Sequence, residues 1–250
     1  MHFMTKFGAI QLQGAVFFRD LEEAVTAEQA WNILALGAPQ STQKDTETPM
    51  QTEMHSGRWN NYRITIRSQV GRLDMILAAL PSEMLHDLPQ VPPLIRDVGR
   101  AVEDMKNLVG GIVSDRGVSR IGLIAELLKP VNSVSVNSAL QAELKTLEFP
   151  PDAQEIAVKF NVQRKFKFDP SITMNRLVSW ETGQMSRLDR RMPFHLAQSM
   201  LMGAQSVVKF SIDINSMAEA NTLLNDPISV LNEVSSELID IEENGIGSLK

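Results

Sequence analysis

Between Gln154 and Phe168 the chain alternates residue by residue. Ile156, Val158, Phe160, Val162, Phe166 and Phe168 take one parity, broken only by Arg164. Glu155, Lys159, Asn161, Gln163, Lys165 and Lys167 take the other. Successive side chains point to opposite faces only in an extended chain, so this pattern requires a strand. A strand with one apolar and one wet face belongs to an antiparallel sheet covered on one side.

The remaining elements follow from local signals. A first strand is expected near Phe7 to Phe18. Thr26-Ala-Glu-Gln29 has the form of a capping box and opens a short helix through Trp31 and Leu34, with Gly37 as its stop. Residues 38 to 58 are polar, without helix or strand period, and read as a solvated loop. Alternation at Tyr62–Ile66 and Leu73–Ala79 around Gln69-Val70-Gly71 predicts a hairpin. A helix is expected from Pro93, with Leu94, Val98, Ala101, Met105 and Leu108 on one stripe and Gly110-Gly111 as its end.

The second half repeats this order. Ile121, Leu123, Ala125 and Leu127 mark a strand, and Leu140, Leu144 and Leu147 a helix. The strand at 155–168 follows, then one at 172–182 after the turn Asp169-Pro170-Ser171. A short helix is expected from Pro193 to Met202 and a strand through Val208, Phe210, Ile212 and Ile214. The last helix has Asp226 as N-cap and Pro227 at N1, buries Ile228, Leu231, Val234, Leu238 and Ile241, and stops at Asn244-Gly245.

The fold class is therefore α+β. Residues 1–112 and 113–250 form two similar halves, a possible structural duplication resting on element order. Each has antiparallel strands and a long helix. The expected architecture is one curved antiparallel sheet with helices on its apolar face.

Composition limits the chemistry. The 250 residues contain no cysteine, which excludes disulfides, thiolate metal sites and cysteine nucleophiles. No apolar run approaches the roughly 20 residues of a membrane-spanning helix. The first residues lack the form of a signal peptide, so a cytoplasmic protein is expected. His2, His55, His86 and His195 are isolated from one another, and no cofactor or metal is expected. His86-Asp87 has the form of the metal-binding dipeptide of HD phosphohydrolases, but those enzymes are all-helical and His86 follows a β-hairpin. No nucleophile elbow or phosphate-cradling glycine loop occurs.

Charge supplies the one functional pointer. The chain carries a formal net charge of -6. Lys159, Arg164, Lys165, Lys167, Arg176, Arg187, Arg190 and Arg191 nevertheless face only Asp169, Glu181 and Asp189, which leaves this segment at +5. Several of these cations are expected to converge on an anionic partner. Arg164 and Arg176 interrupt an inner face, where a charge must be paired or must line an anion-binding cavity. Three readings compete: a non-enzymatic binding or assembly protein of a larger intracellular system, a nucleic-acid or polyanion binder acting through residues 159–191, and an enzyme with a dispersed active site. A protein partner and self-association through sheet edges are both expected.

Overall fold

The computed structural model describes residues 7–45, 51–80, 92–114, 116–131, 136–150, 152–153, 155–185, 205–217 and 223–249. Among them the chain forms an α+β fold with nine strands in one antiparallel sheet and four helices. The strands are β1 (Gly8–Phe18), β2 (Ser41–Asp45), β3 (Thr52–Trp59), β4 (Tyr62–Gln69), β5 (Arg72–Ala79), β6 (Val118–Pro130), β7 (Ala157–Lys165), β8 (Thr173–Met185) and β9 (Gln205–Met217). The helices are α1 (Ala27–Ile33), α2 (Val98–Val113), α3 (Val136–Glu143) and α4 (Pro227–Asn244).

The sheet order is β2-β3-β4-β5-β1-β6-β9-β8-β7, and every adjacent pair is antiparallel. Residues 1–112 supply the first five strands of that order and residues 113–250 the other four. The two sets meet at the β1–β6 ladder. All four helices lie against the same face. α2 packs on β1 and β5, α4 on β6 and β9, α1 on β3 and β4, and α3 on β8 and β9, while α2 and α4 pack on each other. The core between sheet and helices is continuous, from Ile64, Ile66, Leu73 and Met75 through Leu12, Val16, Ile121 and Leu123 to Ile212, Val178 and Trp180. No described helix is long and apolar enough to cross a membrane.

Local chemistry sets several boundaries as expected. Thr26 and Gln29 make the reciprocal capping box, and Asp97 and Asp226 accept from the N3 amides of Arg100 and Ser229. Gly245 closes α4 with φ 58°. Asp226 is held below the usual carboxylate range by its hydrogen bonds from Ser229.

Other boundaries are set by packing. Among the described residues of 38–58 the chain is not a loop: it forms β2 and all of β3 but its last residue. Their helix-side positions carry Thr42, Lys44, Glu53, His55 and Gly57, which hides the apolar period. β3 is held by its ladder to β4, and at Gly57 an added Cβ would lie 3.2 Å from the Trp31 ring. Gly110-Gly111 does not end α2, which runs on to Val113. At Gly111 a Cβ would sit 3.1 Å from Leu34, so this glycine admits a close neighbour. α2 starts at Val98 and not at Pro93, because Ile95 is engaged in an isolated bridge to Ala9. α1 ends at Ile33, four residues before Gly37, with Ala35 in the left-handed region at φ 49°. α3 ends at Glu143, before Leu144 and Leu147, although Leu144 is buried. β7 stops at Lys165, so Phe168 leaves the core face and is exposed, while Phe166 stays buried. Ile228 also lies outside the buried stripe of α4. The helix expected at 193–202 lies outside the described residues.

Candidate polyanion-binding face

Arg164 and Arg176 point to the helix side, as their parity requires. There α4 presents Glu233 and Glu237 one turn apart. Arg164 Nη1 meets Glu233 at 2.6 Å and its Nη2 meets Glu237 at 2.6 Å, while Arg176 Nη1 meets Glu237 at 2.8 Å. Burial opposes the Arg164 charge, but the hydrogen bonds and charges of Glu237 and Glu233 outweigh it and raise its pKa. The Lys167 amide also donates to Glu233. These two arginines thus fasten β7 and β8 to α4.

Lys159 and Lys165 project from the opposite face of the sheet, Lys165 donating to Thr173 Oγ1 at 2.9 Å. Lys167 lies beyond the end of β7 and is exposed. Arg187, Arg190 and Arg191 lie outside the described residues, as do His86 and His195.

Among the described residues no element packs on that opposite face. Toward one end it is closed, since Leu128 and Val207 are buried there. Elsewhere it is rich in arginine. Arg58 of β3, Arg63 and Arg67 of β4, Arg72 of β5 and Arg120 of β6 all have the outward parity. Lys159, Lys165 and Lys209 add to them from β7 and β9. The outward carboxylates of the strands are Asp45, Asp74, Glu126, Glu181 and Asp213, so cations are in excess on a chain that is acidic overall.

Two arrangements on this face are specific. Arg58 and Arg63 are directly opposed across the β3–β4 ladder, and neither has an ion-pair partner among the described residues. Like charges directly opposite each other are destabilising. Secondly, Asp74 is wholly buried beneath three donors. Arg67 Nη2 lies 3.0 Å from its Oδ2, while Arg72 Nη2 at 2.8 Å and Gln13 Nε2 at 2.9 Å share its Oδ1. Beside this cluster Phe17 pairs with Arg72 on one side and Arg120 on the other. The two guanidiniums stand 5.0 and 5.1 Å from its ring centroid, within cation–π range.

These five arginines were not singled out from the sequence. One signal was present: residues 58–72 contain Arg58, Arg63, Arg67 and Arg72 without a single Asp or Glu. Arg120 and Phe17 join them only through the register of β5, β1 and β6.

Two clefts lie away from this face. One of about 570 Å³ is lined by Arg19, Arg116, Glu23 and Asp226, but Glu23 is engaged by the Gly117 amide and Asp226 caps α4. The other, about 440 Å³, lies between the start of α1 and the β2–β3 end of the sheet. Among the described residues no group of His, Asp and Glu side chains is placed to hold a metal ion. Comparisons with family models, curated proteins and solved structures find no match.

Proposed function

We propose that this chain is a binding protein whose working surface is the face of the sheet opposite α1–α4 and whose ligand is a polyanion. The observation that carries this reading is the directly opposed Arg58–Arg63 pair, without an ion-pair partner among the described residues, on a face with excess cations. An arrangement that costs stability in isolation becomes favourable when an anion bridges it. Guanidinium groups suit phosphate because their planar fork donates two parallel hydrogen bonds. Lys159 and Lys165 extend the same surface to the far edge of the sheet. A role as a component of a larger assembly is compatible with this surface.

The test is fluorescence anisotropy of the full chain with labelled DNA oligonucleotides. Between 50 and 200 mM salt, affinity should fall by about 10³-fold if some six phosphates are contacted. Arg63→Glu should weaken binding and at the same time raise the thermal midpoint slightly, because it turns a repulsive cross-strand pair into an attractive one. Lys165→Glu should weaken binding too. Affinity indifferent to salt and to Arg63→Glu would overturn the reading.

A further inference from the structure

Resting on that polyanion reading, we infer that the Arg72–Phe17–Arg120 stack is a contact point for single-stranded nucleic acid, engaging bases as well as backbone phosphate.

The stack is preorganised. Phe17 stands on the outward face of β1, half-buried, flanked by its neighbours Arg72 on β5 and Arg120 on β6. Arg72 is fixed from below, since both its Nε at 2.9 Å and its Nη2 hold the buried Asp74 carboxylate. Arg67 and Gln13 hold the same carboxylate and lock it in place. Arg120 is exposed, and its guanidinium stands over the Phe17 ring. Among the described residues its charge has no ion-pair partner, while its plane is supported by the ring.

Resting on the ring, the Arg120 guanidinium can turn its edge donors to phosphate and its outer plane to a base, while Arg72, held by Asp74, supports the ring. Bases of a single strand are unstacked and can occupy such planes, whereas those of a duplex are already stacked on one another. Lysine ammonium groups lack such a plane, and this site is built from arginine.

The stack also lies on a longer track. Lys165 pairs with Thr173, and Thr173 pairs with Met217 of β9, which places Lys165 at the same end of the sheet as Arg120. From Arg72 on β5 to Lys165 on β7 the track crosses five inter-strand spacings, about 24 Å at about 4.8 Å each. Met217 is exposed along it. This end is the opposite one from the end closed over Leu128 and Val207.

The experiment uses the full chain and four probes: a fluorescein-labelled thymidine 20-mer, an abasic deoxyribose-phosphate 20-mer, a 20-base-pair duplex and phosphatidylserine vesicles. The thymidine 20-mer should bind at least tenfold more tightly than the abasic strand, the size of one base stacked on an aromatic or guanidinium plane. Arg120→Ala should cost about tenfold, and Arg120→Lys should recover the phosphate part of that loss but not the base-dependent part. Lys145→Ala, in the turn after α3, should stay within twofold of the unaltered chain. Phe17→Leu should weaken the thymidine strand more than the abasic one, with circular dichroism confirming the fold. Equal binding of thymidine and abasic strands, or of Arg120→Ala and Lys145→Ala, would overturn the stack while leaving the polyanion surface standing if Arg63→Glu still weakens binding. Preference for the duplex or for vesicles would overturn the single-strand assignment, and no binding to any probe would overturn both proposals.

Discussion

Tyr62 is the only tyrosine in the chain, so its ionisation can be followed by ultraviolet absorbance without assignment. It sits at the start of β4 with its ring against Trp59, and its hydroxyl donates to Asp104 of α2 at 3.1 Å. Burial, then the Asp104 carboxylate, push its pKa up to about 12 from 10.0. The unfolded chain releases this proton at lower pH than the folded one. The contribution of Tyr62 to stability is therefore complete below pH 10 and is lost as pH rises from 10 toward about 12. A titration at 295 nm should place the midpoint at about 12, and Tyr62→Phe should remove that part of the alkaline loss of stability. A midpoint near 10 would show that the contact with Asp104 does not persist in solution.

At the scale of elements, α4 depends on carboxylates that face inward. Glu233 and Glu237 meet Arg164 and Arg176 across the β7–β8 side of the sheet, and the side chain of Arg176 is only 4% exposed. Arg176 also donates to the Ser248 carbonyl of the 3₁₀ turn Gly245–Leu249, tying down the segment after α4. Removing one partner of a buried pair leaves the other charge unmatched and typically costs about 3 kcal/mol or more. Glu237→Gln should therefore lower stability to urea by about that amount, whereas the double change Arg176→Met with Glu237→Leu should recover much of it. A change below about 0.5 kcal/mol in Glu237→Gln, the size of an exposed ion pair, would mean that α4 is held by its apolar stripe alone. Val230, Leu231, Val234, Leu238 and Ile241 provide that stripe.

The whole molecule has a single described sheet in which the two sequence halves are joined by β1 and β6. Their pairing runs from Gly8 with Leu128 to Phe18 with Val118, and α2 and α4 close over it on the helix side. Separating the halves would expose two long strand edges and the flanks of both helices. Unfolding should therefore be a single transition, coincident by tryptophan fluorescence and far-ultraviolet circular dichroism, although Trp31 and Trp59 lie in the first half and Trp180 in the second. Two resolved transitions would show that the β1–β6 ladder does not couple them. The outer edges of the sheet are β2, whose five residues are all exposed, and β7, which carries Lys159, Arg164 and Lys165. Charge on such edges discourages indiscriminate strand pairing.

Features written in adjacent residues were legible in the sequence. The two-residue period of 157–165, the capping box at Thr26 and the N-cap at Asp226 all express chemistry that acts over a few residues, and they identify an antiparallel α+β chain. The inward parity of Arg164 and Arg176 follows from the same period. Tertiary packing decided what local chemistry leaves open. β3 is a strand because β4 lies beside it and Trp31 covers Gly57, and α2 runs through Gly110-Gly111 because a neighbouring leucine comes close there. The candidate site belongs to this second kind. Arg58, Arg63, Arg72, Phe17 and Arg120 come from five separate strands, and their meeting depends on strand order and register, which arise from burying one continuous core.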